Sequence, residues 1–386
     1  LSVDLGDLQT EEIEVFYGGY PRIVSLFKKL AMEAGDEGQS VLKLHAGDAI
    51  TGTIYYTLFK GVADADMMNQ VCFDAFAVGN HEFDDGDANL AEFIRQLQDS
   101  AVCPDTPVLG ANVVPGPNSP LKELQDTGAF AANNIRTLEN GEIVGLIGID
   151  IRFKTMLSSS PTEGTVLLDE IETTEQQVAE LQAQGVNKII VITHIGYEND
   201  LEWIANIDGV DVVVGGDSHT LLGDDGDIAL GSPRGPYPTT VTRSDGRKVC
   251  VVQAWEYTHG VGKLDVTFDP LGEVVSCDGD FLLPFDPIKF DPELDIATAE
   301  IVTNSITSAF SNVIPVEEDS DTLAALAHYS DQAAQLENTV IASVPEDICF
   351  ERIPGQGRSI ICPVEQSASQ GGGVCNLVAR AFLEQY

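Results

Sequence analysis

What most constrains this chain is a repeated pairing of two patterns. Short apolar runs rich in β-branched residues, each closing on glycine and a polar side chain, alternate with stretches whose apolar positions recur every three or four residues. The first pattern describes strands and the second describes helices that cover them, so an α/β chain is expected. Strands are predicted at 40–48, 73–83, 106–114, 142–150, 187–196 and 210–219. Helices are predicted at 20–35, 87–100, 173–185 and 198–207. The alternation in 248–279, with its Asp-Pro-Leu-Gly-Glu turn, adds an antiparallel meander, so the first domain mixes both sheet types. Residues 281–295 hold three prolines and read as a linker; a long helical stretch from 296 opens a second region.

Charge narrows the partners. A net charge of −42 over 386 residues repels nucleic-acid backbones and anionic membranes, because binding to either rests on Lys and Arg. The 43% hydrophobic content still supplies a packed core, which argues against disorder. No apolar run reaches the ~18 residues that span a bilayer, and the start has neither a basic nor an apolar leader segment, which reads as a mature or truncated N-terminus. Acidity of this degree favours an extracellular or periplasmic home. The seven cysteines form no C-x-x-C pair. Cys349, Cys362 and Cys375 lie in a Gly/Pro-rich tail where a disulfide holding a loop and buried or free thiols are both open; the odd total leaves at least one thiol unpaired.

The chemistry-bearing residues fall where the strands end, which is where open α/β sheets bind ligands. LKLHAGD delivers Asp48, FAVGNHEFDDG delivers Asn80, His81 and Asp84, VITHIGYEND delivers His194, and VVVGGDSHT delivers Asp217 and His219. Gly47, Gly79 and Gly215–Gly216 let neighbouring backbone approach closely. Singly, each has a plainer role: Asp48 as a turn or cap, His194 as a core or rim histidine. His45 is read as structural, His259 and His328 as surface residues, and Asp224, Asp225 and Asp227 as a solvated loop or a weak calcium contact. Together, strand ends carrying Asp, Asn-His, His and Asp-x-His form a metal-site layout.

The order G-D, G-N-H-E-F-D, T-H-x-G, G-G-x-S-H-T resembles the calcineurin-like metallophosphoesterase superfamily. The text at 47–61, 74–86, 193–223 and 251–269 is similar to its 5′-nucleotidase family, and the resemblance extends from about Gly18 to the end. It implies a sandwich of mixed β-sheets flanked by helices over 1–280, the linker at 281–295, and in 296–386 the beginning of the family's substrate-binding domain. It also implies two divalent cations (Zn, Mn, Mg or Ca), with Asp48 bridging them, Asn80, His194 and Asp217 completing one, and His219 serving the other. His81, oriented by Asp84, then sits beside the phosphate with Asn80 and helps the leaving oxygen depart, while a hydroxide held by the cations attacks phosphorus. The implied substrate is a nucleoside 5′-monophosphate. Alternatives are UDP-sugar pyrophosphatase or 2′,3′-cyclic phosphodiesterase chemistry on the same scaffold, or a non-catalytic extracellular binding protein.

The chain departs from the family pattern in three places. Before Gly18 it carries Asp4 and Asp7 but no Asp-x-His, so a chain starting after the family's first strand, with one metal poorly held and little hydrolysis, is expected. Asp217 stands where the family usually has histidine, which favours harder ions such as Mn²⁺, Mg²⁺ or Ca²⁺; the alternative is a solvent-facing or turn-capping Asp217. Around GVCNLVARAF, Asn376 matches the family while Cys375 and Arg380 do not, so Asn376 is a candidate substrate contact or a helix cap. Phe350 and Arg352 offer a binding face or core packing.

Overall fold

The computed structural model describes residues 13–224, 232–339, 347–351, 354–355 and 361–385. Asp4, Asp7, Asp225, Asp227 and Arg352 lie outside them. Two compact units divide the chain, Leu1–Ala333 and Ala334–Tyr386.

Two sheets organise the first unit. The larger has the order β12 (Thr239–Thr242), β13 (Lys248–Gln253), β11 (Val212–Gly215), β10 (Ile189–His194), β8 (Ile143–Asp150), β7 (Asn133–Thr137). Its central strands are parallel and its two edges antiparallel. The smaller is parallel, in the order β2 (Leu44–His45), β3 (Ala75–Ala77), β4 (Val108–Leu109), β6 (Phe130–Ala131). A further antiparallel set joins β1 (Glu14–Tyr17), β15 (Val274–Asp291) and β14 (Val261–Phe268), with β16 (Val313–Pro315) parallel to β15. The antiparallel pair of β5 (Val113–Val114) and β9 (Val166–Leu167) forms a separate two-stranded sheet.

The two-residue period of β8 shows how the layers stack. Ile147 and Ile149 join the core containing Val178 and Leu181 of the helix Glu170–Ala183, while Val144 and Leu146 pack with Ala75, Ala77 and Leu109 of the smaller sheet. Gly148 marks the closest approach, because a Cβ there would meet Leu109 Cβ at 2.5 Å. On the far side of the smaller sheet, Phe76 and Val78 bury against Leu90, Phe93, Ile94 and Leu97 of the helix Gly86–Gln98.

Most of the expected elements form, with several differences. The run 106–114 splits into β4 and β5, which lie in different sheets. In the stretch 248–279 only β14 and β15 pair with each other, while β13 pairs parallel to β11 and antiparallel to β12. The run 73–83 stops being a strand at Ala77 and curls into a 3₁₀ turn at His81–Phe83. The run 210–219 ends at Gly215, because Asp217 and His219 both take left-handed backbone, φ +70° and +50°. The stretch 281–295, read as a linker, continues β15 to Asp291 instead. Its apolar residues outweigh its prolines: Phe281, Leu282, Leu283 and Phe285 are buried, and Pro284, which lacks only its N–H, still accepts from Gly18 N at 2.8 Å. The helix Ile296–Ala309 then packs Ala299, Val302 and Ile306 into the first unit's core, so the compact boundary falls at 333 rather than at the proline-rich stretch.

Disulfides join Cys72–Cys103, Cys250–Cys277 and Cys349–Cys362 and leave Cys375 a free thiol. In the second unit, the helix Gly373–Gln385 presents Cys375, whose thiol points at Glu351 O (3.4 Å). Among the described residues, no helix is long and apolar enough to cross a membrane.

Candidate functional site

The site grows from the C-terminal ends of β2, β3, β10 and β11, where the chain must turn sharply and three glycines leave room for one imidazole. A Cβ on Gly47 would meet His194 Nδ1 at 2.7 Å, one on Gly79 would meet His194 Cδ2 at 2.8 Å, and one on Gly216 would meet Nδ1 at 2.8 Å. His194 is therefore clasped by backbone from three loops and is 2% exposed.

Its two nitrogens have separate duties. Nδ1 lies 2.6 Å from Ala46 O, and since a carbonyl only accepts, Nδ1 is the donor. Nε2 is thereby aimed at Asp48 Oδ2 (2.9 Å) and Asp217 Oδ1 (3.7 Å). Burial opposes charge on the ring, but Asp48 outweighs it and lifts the His194 pKa to about 9. Burial likewise opposes ionisation of Asp48, yet His194 and the His81 N–H (2.8 Å from Oδ1) hold its carboxyl down at about 2.

Asp48 sits at φ +54°, and Glu82 fixes that turn. The buried Glu82 carboxylate accepts from the backbone N–H of Asp48 (2.9 Å), Ala49 (2.7 Å) and Gly79 (2.6 Å), tying the β2 and β3 loops together. Burial and then the charge of Asp48 push its own pKa up to about 7. Asn80, between two residues that touch Asp48, is buried, and among the described residues its Oδ1 has no hydrogen-bond partner.

At the rim, His81 Nδ1 lies 2.5 Å from Asp84 Oδ2, with 46% of the His81 side chain exposed. His219 Nδ1 meets Glu256 Oε2 at 3.0 Å, and the ring packs edge-on against Tyr257 at 5.3 Å. Asp217 is ion-paired to Lys154 of the helix Arg152–Ser158. Beneath the site, Asp200 receives the Thr193 hydroxyl (2.6 Å) and Asp150 receives that of Thr155 (2.8 Å), and burial raises both carboxyls, Asp200 to about 7.

The structure thus gathers Asp48, Asn80, His194 and Asp217, with His81 and Asp84 beside them and His219 two residues past Asp217. Among the described residues, no three His, Cys, Asp or Glu side chains stand arranged as a metal-holding group; Lys154 engages Asp217 and Glu256 engages His219. The donor set nevertheless fits a divalent cation. Asn80 offers a neutral oxygen with nothing else to bind, and both imidazoles have Nδ1 engaged, one by a carbonyl and one by a carboxylate, which leaves Nε2 as the ligand atom.

His45 packs against Phe73 and Phe76 and accepts from Gly47 N, as a structural histidine does. His328 is exposed. His259 is not a free surface residue: Trp255, Tyr17 and Tyr257 surround its ring at 4.8–5.6 Å. Asn376 belongs to the second unit, where its Nδ2 donates to Gln370 O (2.7 Å). Phe350 is exposed. Sequence reasoning missed Glu82, Lys154, Glu256, Asp150 and Asp200. Only Glu82 carried a signal, its place inside G-N-H-E-F-D.

The chain is similar to known proteins of one family. Residues 5–221 match the Calcineurin-like phosphoesterase family. A probable 5′-nucleotidase of Treponema pallidum is 43% identical over 270 residues, covering 70% of this chain and 43% of that protein. Among solved structures, a 5′-nucleotidase precursor from Thermus thermophilus superposes with TM-score 0.67 at 36% identity, covering 84% of this chain and 55% of the other. The NAD nucleotidase of Haemophilus influenzae superposes with TM-score 0.73 at 32% identity, covering 87% and 65%. The chain spans less than half the length of the curated relatives it matches.

Proposed function

Because the chain belongs to the calcineurin-like phosphoesterase family, for which divalent metal ions are implied, we propose that it is a metal-dependent phosphohydrolase that releases phosphate from nucleoside 5′-monophosphates. The observation that carries the reading is the clasped pair His194–Asp48 with Asn80 Oδ1 beside it, which has no hydrogen-bond partner among the described residues, so that nitrogen and oxygen donors meet at the strand ends.

In this reading Asp48, Asn80, His194, Asp217 and His219 hold two divalent cations, of which Mn²⁺, Mg²⁺ or Ca²⁺ suits the added carboxylate of Asp217 better than Zn²⁺. Bound cations would supply Lewis acidity and an acidified water. The chain's own residues do the rest. Ala46 O and Glu256 fix which imidazole nitrogen faces the site, and Glu82 holds Asp48 in its left-handed turn. Asp84 fixes His81 by Nδ1, so Nε2 faces outward to give a proton to the departing oxygen and a hydrogen bond to the phosphoryl group. Asn376 enters only as a candidate substrate contact from the second unit. The three disulfides and the excess of acid support a home outside the cytoplasm, in the periplasm or extracellular space.

Likeness to a protein named NAD nucleotidase favours a second reading, cleavage of a dinucleotide pyrophosphate by the same groups. Both are tested by assaying the full-length protein on AMP, NAD, UDP-glucose and a 2′,3′-cyclic nucleotide with Mn²⁺, Zn²⁺ and Ca²⁺ in turn. AMP should be the best substrate, and His81→Asn should lower turnover by about 10²–10⁴ while bound metal is kept. Unchanged turnover in His81→Asn, or metal binding indifferent to Asp48→Asn, overturns the proposal.

A further inference from the structure

In a chain with only 20 basic residues, one ammonium reaches the candidate metal ligands. Lys154 Nζ pairs with Asp217 Oδ1 across 63 residues, and that same oxygen faces His194 Nε2 at 3.7 Å. The lysine's placement is built rather than incidental. Its helix, Arg152–Ser158, is pinned at its start by three contacts: Ile151 N and the Thr155 hydroxyl both donate to Asp150, and Arg152 N donates to Glu170 Oε1. Asp150 in turn sits directly opposite His194 in the register of β8 and β10. The strand pair that positions the imidazole therefore also positions the helix that carries the ammonium.

The two partners are unequally free. Asp217 stands on left-handed backbone with 13% of its side chain exposed, whereas 40% of the Lys154 side chain is exposed on a flexible four-carbon stem. When something else claims the carboxylate, the lysine is the group that moves. We infer that Lys154 is a built-in cation that holds Asp217 until a divalent ion takes it, and that the freed ammonium then receives the phosphate of the substrate. The inference rests on the metal-dependent reading above and extends it to a residue outside the metal-site layout. It answers a problem set by the charge: a chain of −42 needs fixed positive charge to draw in a phosphate dianion, and a lysine tethered beside the cations supplies it.

The test is Mn²⁺ binding by calorimetry to the full chain and to Lys154→Met, Asp217→Asn and the double variant, with near-ultraviolet circular dichroism to check folding and Lys154→Gln as the alternative neutral side chain. Removing the competing ammonium should tighten Mn²⁺ binding about tenfold in the wild-type background and hardly at all beside Asp217→Asn. An equal gain in both backgrounds means a general charge effect and overturns the latch. Equal Mn²⁺ affinity of wild type and Lys154→Met overturns this inference alone, whereas no Mn²⁺ binding by either overturns it together with the metal-dependent reading. Inorganic phosphate titrated into the Mn²⁺-saturated proteins should bind Lys154→Met about tenfold more weakly, with Lys154→Arg recovering most of the loss. Unchanged phosphate affinity overturns the second step.

Discussion

His194 and His219 follow neighbouring parallel strands, yet they are held in opposite ways. His194 is 2% exposed, clasped by three glycine-bearing loops and charged through Asp48, while 44% of the His219 side chain is exposed, held by Glu256 and an edge contact with Tyr257. One half of the candidate site is thus part of the core and the other is laid on its rim. The difference teaches that the same ligand type, a histidine after a parallel strand, answers to the fold in one place and only to its partners in the other. Removing each should therefore read out differently, in stability for the first and in ligand affinity for the second.

The largest effect is expected at the buried half. His194→Ala leaves the largely buried Asp48 carboxylate without its cation, so the metal-free protein should lose about 3–5 kcal/mol in urea unfolding. His219→Ala should stay within about 0.5 kcal/mol of wild type while weakening Mn²⁺ binding. Equal stability losses would erase the contrast between the halves.

Next come the glycines that make the clasp. Gly47 has φ +90° and a Cβ there would strike Gly79 N and His194 Nδ1, both at 2.7 Å, so Gly47→Ala should destabilise by about 3 kcal/mol from backbone strain and overpacking together. Gly52 shares the left-handed φ, at +78°, but a Cβ there meets nothing within 4 Å, so Gly52→Ala should lose only about 1 kcal/mol. Thermal unfolding of the two variants separates the clash from the strain; similar losses would mean that the loops yield around the imidazole.

Those glycines also mark how far the sequence could be read. Strand ends closing on Gly-Asp, Gly-Asn-His, Thr-His-x-Gly and Gly-Gly-x-Ser-His are local patterns, and they lead directly to Asp48, Asn80, His194 and Asp217. The groups that hold them act over distance: Glu82 reaches back 34 residues to Asp48, Glu256 lies 37 from His219, and Lys154 lies 63 from Asp217. No spacing rule links such pairs, because each depends on which loop the finished sheets bring alongside. The left-handed backbone at Asp48, Asp217 and His219 was equally invisible, since non-glycine residues carry no mark of a conformation their surroundings impose. The linker reading of 281–295 failed for a related reason: three prolines signal a break locally, but burial of Phe281, Leu283 and Phe285 rewards continuing the strand.

The last expected effect, read as a slope with pH, extends the comparison to the opposite ends of β10 and β11. There Asp211, just before β11, accepts from Ile189 N at 2.8 Å, and burial pushes its carboxyl up to about 7. A carboxyl whose folded pKa lies above its unfolded value gives stability that is complete below about pH 4 and is lost as pH rises toward 7. Asp200, beside His194, shifts in the same sense to about 7. The slope that one such group contributes is at most about 1.4 kcal/mol per pH unit. Asp211→Asn keeps an oxygen for Ile189 N but has no proton to lose, so stability measured from pH 4 to 7 should fall less steeply than in wild type, while Mn²⁺ binding at the other end of the strands stays the same. A slope that Asp211→Asn leaves untouched would assign the acid-side stability to other carboxyls that burial raises, among them Asp200 and Glu82 at the site and Asp64 of the helix Val62–Val71.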